Sequence, residues 1–114
     1  REVCRFLEEF DEISHSYDRY DILFLQSLSY KRNADYEKAV PLWEEIADRS
    51  VEESFWSGIE LAKFYEHKAG DFQRALECTL RAKSICPPRN YALEDVQKRI
   101  RRLNQKIARV RSSK

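Results

Sequence analysis

The chain has 114 residues, 42% hydrophobic and 36% charged, with two Trp, six Tyr and six Phe against two Gly and three Pro. That apolar content argues for one folded core rather than disorder, and so few Gly and Pro leave little room for strands or long loops, which excludes a sheet-rich fold. The net charge of +1 hides a division: residues 1–88 carry 12 Lys and Arg against 18 Asp and Glu, a net −6, whereas residues 89–114 carry nine against two, a net +7.

In chain order, Val3, Phe6, Leu7, Phe10 and Ile13 recur at helical spacing and predict an N-terminal helix over 1–16, ending near Ser14-His15-Ser16. Two related units follow, 18–50 and 51–88. Each contains a short motif 36 residues from its counterpart: Ala34-Asp35-Tyr36-Glu37-Lys38-Ala39 and Gly70-Asp71-Phe72-Gln73-Arg74-Ala75. In both, a turn residue and an aspartate precede an aromatic and a small alanine, so Asp35 and Asp71 are expected to cap a new helix. Behind them run two amphipathic patterns, Tyr36, Ala39, Val40, Trp43, Ile46 and Ala47, and Phe72, Ala75, Leu76, Thr79 and Ala82. Before them lie the helical segments 23–32 and 55–68, with Tyr30 and Tyr65 at matching places near the ends. The unit is a helix pair, and a period of this size indicates units that must stack to bury their apolar faces.

These residues resemble the tetratricopeptide repeat family. The second unit reads Leu61-Ala62, Tyr65, Gly70-Asp71-Phe72, Ala75, Thr79, Ala82, Pro87, with one extra residue before the glycine. The first reads Gln26-Ser27, Tyr30, Ala34-Asp35-Tyr36, Ala39, Trp43, Ile46 and is degenerate. Thr79 stands where the family has an aromatic, Val51 where it has proline, and Pro41 falls inside a helix, where a local bend over 37–41 is expected. The resemblance implies an all-α fold of antiparallel helix pairs, about two repeats, in a single domain that acts as a protein-interaction or scaffolding module. The string Leu61-Ala62-Lys63-Phe64-Tyr65-Glu66-His67-Lys68, with Asp71-Phe72 and Ala75-Leu76, is also similar to the helical C-terminal region of a family of bacterial proteins that carry a ribonuclease-H-like exonuclease domain upstream. With Arg1 at the start and no Met anywhere, this points to a piece of a longer protein.

The family's ligand surface is the concave face lined by the first helix of each pair. By position this picks out Asp21, Phe24, Leu28 and Lys31 on one helix, and Trp56, Glu60, Lys63 and His67 on the other. The family's carboxylate-clamping basic and Asn residues are not reproduced, so only a protein or peptide partner is implied. Trp56 fits a binding hot spot. It equally fits core packing beside Phe55 and Ile59.

Beyond Pro87-Pro88, Leu93, Val96, Ile100, Leu103, Ile107 and Val110 form a seam at alternating spacings of three and four over 89–114. Two readings suit it: a helix capping the last repeat, or a dimerising coiled-coil strand in a weak dimer. On a helical projection Lys98, Arg101, Arg102 and Arg109 face away from the seam, with Arg99, Lys106 and Arg111 on its flanks. Such a face can track phosphates, so an accessory nucleic-acid-binding role through residues 98–111 is the alternative function.

Enzymatic chemistry has little to stand on. His15 and His67 are the only histidines, and no His-Glu-x-x-His, glycine-rich phosphate loop or Gly-x-Ser-x-Gly motif occurs. A non-catalytic chain without cofactor or metal is expected. Cys4, Cys78 and Cys86 suit reduced thiols in a cytoplasm rather than a disulfide framework. No stretch approaches the roughly 20 apolar residues of a membrane span, and no signal-peptide run opens the chain.

Overall fold

Helices follow one another along the chain because amphipathic stripes of three- and four-residue spacing are separated by links too short for anything but a reversal. The computed structural model describes residues 19–49, 51–87 and 90–112, and of Asn90 and Tyr91 only the backbone. The helix expected over 1–16 lies outside these residues. Among them no strand occurs. The elements are α1 (Arg19–Arg32), α2 (Tyr36–Ala47), α3 (Glu52–Phe64), α4 (Phe72–Ser84) and α5 (Asn90–Ser112). Each packs chiefly on its neighbours in the chain.

The two links that were matched in sequence are built alike. Ala34 and Gly70 both adopt the left-handed conformation, with φ of 58° and 68°. This region is costly for residues with a Cβ, which makes Gly70 the easier of the two. The amide after each returns to the tyrosine carbonyl: Asp35 N to Tyr30 O and Asp71 N to Tyr65 O, both 2.8 Å. The second link has one residue more between those ends, and α3 absorbs it by widening into a π-helical turn over Tyr65–Ala69. A π-turn is the usual way for a helix to take in an extra residue, and such turns concentrate at functional sites.

The matched aspartates differ. Asp71 accepts a hydrogen bond from the Arg74 amide at 3.1 Å. Asp35 makes no side-chain cap; its carbonyl receives the Lys38 and Ala39 amides. The start of α3 is secured instead by Ser54, whose hydroxyl accepts from the Val51 amide and donates to the Ile46 carbonyl at the end of α2, 2.6 Å away. Helix α2 runs unbroken through Pro41, whose missing amide falls on its exposed side.

Ala39, Trp43, Leu61, Ala62, Tyr65, Ala75, Cys78 and Leu103 form one core cluster, and Phe55, Ala82, Ala92 and Val96 a second. Trp43 is buried, and its indole N–H donates to Ser27 Oγ at 2.8 Å. Ser27 in turn donates to the Phe24 carbonyl, so a buried serine–tryptophan pair joins α1 to α2. Thr79, in the aromatic position of the pattern, is fully buried and folds its hydroxyl back to the Ala75 carbonyl at 2.8 Å. Small residues bring α3 and α4 close: a Cβ on Gly58 would lie 3.2 Å from that of Ala82. The seam of α5 is spent within the chain, with Ala92, Val96 and Leu103 buried and Leu93 and Val110 at its ends exposed.

Candidate functional site

Four of the eight predicted groove residues, Lys31, Glu60, Lys63 and His67, converge. Lys31 at the end of α1, Lys63 on α3 and His67 in the π-turn line one cavity of about 120 Å³, together with Glu60 and Lys68, over a floor of Tyr36, Trp43 and Phe64. They meet because Lys31 and Glu60 face each other across two helices: Nζ lies 2.7 Å from Glu60 Oε1, and Lys63 Nζ lies 3.4 Å from Oε2. One carboxylate therefore stands among three lysines and a histidine. Lys68 sits 5.6 Å over the Tyr36 ring, and the imidazole of His67 is exposed.

Lys63 also borders a second cavity, of about 150 Å³, lined by Phe55, Trp56, Ile59, Ala92, Asp95, Val96 and Arg99. Trp56 stands at its edge, 37% exposed, with its ring edge-on to Phe55 at 4.8 Å between centroids. One side of this tryptophan packs on Phe55 and the other faces the recess. Phe24 is half-buried against the first core cluster and lines neither cavity. Asp21 is exposed and Leu28 half-buried, again outside both.

The opposite side of the molecule, where α2 meets α4, is charged but self-neutralised. Tyr65 donates from its hydroxyl to Glu44 Oε2 at 3.1 Å, Arg74 lies 3.6 Å from the same carboxylate and over the Tyr65 ring, and Arg81 pairs with Asp48. Burial, helped by Glu44, pushes the Tyr65 hydroxyl above its usual range, and burial likewise raises the Cys78 thiol. Among the described residues, no group of three His, Cys, Asp or Glu side chains is placed to hold a metal ion.

The strongest electrostatic centre was not singled out from sequence. Glu66, the second residue of the π-turn, has a side chain with no solvent exposure, and three cations of α5 close on it: Arg99 Nη1 at 3.2 Å, Arg102 Nε at 2.7 Å with Nη2 at 2.8 Å, and Lys106 Nζ at 2.7 Å. The Arg102 hydrogen bonds, opposed by burial and aided by Lys106, hold its carboxyl down at about 2. The same bonds raise Arg102, while burial lowers Arg99.

This corrects one placement. Arg102 was assigned to the outward face of the last helix, yet it reaches sideways to Glu66, because the carboxylate lies off the edge of the apolar seam and a guanidinium on a long stem spans that offset. Lys98, Arg101 and Arg109 are exposed as expected, Arg109 with an interaction of its own. Two signals pointed to Glu66: the stripe Arg99, Arg102, Lys106 at three- and four-residue spacing demands a counter-charge, and Glu66 follows Tyr65 as Lys31 follows Tyr30.

Among the described residues, no helix is long and apolar enough to cross a membrane. A stretch of 52 residues, 45% of this chain, is 42% identical to the uncharacterized protein YprB of Bacillus subtilis, and that match spans 13% of the YprB chain. No family model and no solved structure matches the chain.

Proposed function

We propose that this chain is a non-catalytic protein-interaction module, a short tetratricopeptide-like stack of two helix pairs with α5 as its cap, belonging to a longer cytoplasmic protein. The observation that carries the reading is the convergence of Lys31, Lys63 and His67 on one cavity, with Lys63 also bordering the recess beside Trp56. Groove and recess together offer what a peptide needs, an apolar socket with an aromatic edge and a row of polar groups to fix its register. The free Cys78 and Cys86 thiols suit a reducing compartment. The partial match to a much longer bacterial protein favours a segment of a larger chain. The packing of Ala92, Val96 and Leu103 into the two core clusters favours a capping role for α5 over a dimerising one.

Selection of a random peptide library on the immobilised chain tests this directly. Enriched peptides should bind the wild type and lose at least tenfold in affinity to Trp56→Ala or Lys63→Glu. Peptides indifferent to both substitutions would place recognition elsewhere and refute the groove.

A further inference from the structure

The cavity walled by Lys31, Lys63, His67 and Lys68 carries a charge that its own residues do not balance. Among the described residues, Glu60 is the one carboxylate on its wall. Lys31 holds Glu60 Oε1 at 2.7 Å and Lys63 stands 3.4 Å from Oε2, so two lysines share one negative charge. Lys68 rests on the Tyr36 ring rather than on a carboxylate. His67 approaches Glu66 at 3.5 Å, but that carboxylate is already taken by Arg99, Arg102 and Lys106. Three lysines against one glutamate leave a surplus of two positive charges before the imidazole is counted. The surplus can be reached from solvent, because Lys63 is partly exposed and His67 and Lys68 are exposed.

We propose that this cavity holds the phosphate of a phosphorylated serine or threonine in a peptide that sets an apolar side chain, three residues away, into the recess beside Trp56. The proposal rests on the peptide-groove reading and names the class of peptide. Three features select it. The first is charge: a phosphate monoester carries about −1.5 to −2 at pH 7 and matches the surplus, whereas one carboxylate would leave a cation unanswered. The second is arrangement. Lys31 comes from α1, Lys63 from α3 and Lys68 from the π-turn, so point charges approach from separate elements, which suits a compact group with oxygens on several sides. The floor of Trp43 and Phe64 keeps water from one side and strengthens those contacts. The third is spacing. Lys63 borders both cavities, and Trp56 precedes it by seven residues, about 10 Å at the rise of an α-helix. An extended peptide covers that distance in about three residues, and Phe55, Ile59 and Val96 in the recess offer its side chain an apolar lining.

The test is fluorescence anisotropy of short labelled peptides that carry phosphoserine with a leucine three residues before or after it, titrated with the whole chain. The same peptides with serine or glutamate in place of phosphoserine are run beside them. One of the two phosphorylated peptides should bind, its serine form at least tenfold more weakly and its glutamate form in between. Lys68→Gln should weaken the phosphorylated peptide about fivefold while its thermal melting, followed by circular dichroism, stays that of the wild type. Trp56→Ala should weaken the phosphorylated and serine forms alike. Library-selected peptides that depend on Trp56 yet gain nothing from a phosphoserine would overturn this inference and leave the groove standing. Failure of every peptide, phosphorylated or not, would overturn both. Inorganic phosphate that binds as tightly as the phosphopeptide would also overturn it, making the cavity a site for a free anion.

Discussion

Replacing Glu66 by Gln removes the charge while keeping the shape, and the consequence can be worked from its surroundings. In the fold the carboxyl titrates at about 2, against 4.5 for an ordinary glutamate. A difference of roughly 2.5 units corresponds to about 3 kcal/mol in favour of the folded state at neutral pH. The orphaned cations set where in that range the variant falls. Arg99 is 15% exposed and would be left nearly buried, whereas Arg102 and Lys106, at 42% and 28%, can turn toward water. The loss should therefore sit near 2–3 kcal/mol, at the lower end of that for breaking a buried ion pair.

The pH dependence gives the sharper check. A depressed carboxyl stabilises fully above its unfolded pKa, near 4.5, and loses that contribution as pH falls toward 2. The gap between wild type and Glu66→Gln should thus be about 3 kcal/mol at pH 7, roughly 1.5 at pH 3 and under about 0.5 at pH 2. Urea unfolding followed by far-ultraviolet circular dichroism at pH 7, 4 and 3 measures it. A gap below about 1 kcal/mol at pH 7, or one that is the same at pH 3 as at pH 7, would refute the view that the ionised carboxylate holds α5 in place.

Two fully buried serines should respond in opposite ways to the same substitution. Ser27→Ala strands the buried indole N–H of Trp43 and should lower the unfolding free energy by about 1–3 kcal/mol, whereas Ser57→Ala removes a hydroxyl that has no hydrogen-bond partner and should be neutral or stabilising; equal losses in a urea titration would refute the assignment. At the α3–α4 contact, Gly58→Ala gains about 1 kcal/mol of helix propensity against a 3.2 Å approach to Ala82 and should stay within about 1 kcal/mol of wild type. Gly58→Leu should lose more than about 2 kcal/mol by forcing the helices apart, and similar melting temperatures for the two variants would show that the contact is not tight.

The helices were legible because amphipathic spacing and turn residues are local signals. Tyr36, Trp43, Ala75 and Ala82 stand at the register that their neighbours require, and the left-handed turns fall at Ala34 and Gly70, where the repeated motif put them. The extra residue before Gly70 was visible as a misfit in the pattern, but its consequence, a π-turn that carries Glu66 inward, was not. That outcome depends on α5, more than 30 residues away in sequence. Helical projection failed at Arg102 for a related reason: it ranks positions by angle from an apolar seam and is blind to a carboxylate lying beyond the seam's edge. The family resemblance picked out Lys31, Lys63 and His67, which share one cavity, and also Phe24, whose ring serves the core.

The residue after each matched tyrosine shows how a chain of similar units can still stack in one order. Lys31 follows Tyr30 and reaches forward to Glu60 on α3; Glu66 follows Tyr65 and reaches forward to the cations of α5. The position is the same and the direction is the same, but the sign is reversed. If α5 were to pack in the place of α3, Lys31 would meet Arg99, Arg102 and Lys106, and like charges at close range would oppose the mispairing. A second copy of α3 set against the π-turn would place Glu60 near the buried Glu66, with no cation to take up the charge. Hydrophobic stripes of nearly equal spacing cannot make that distinction, because Val96 and Leu61 are interchangeable to a first approximation. The ionic ties can, and the least exposed of them is placed at the junction where the last helix has the most polar sequence of the fold and most needs a specific reason to dock.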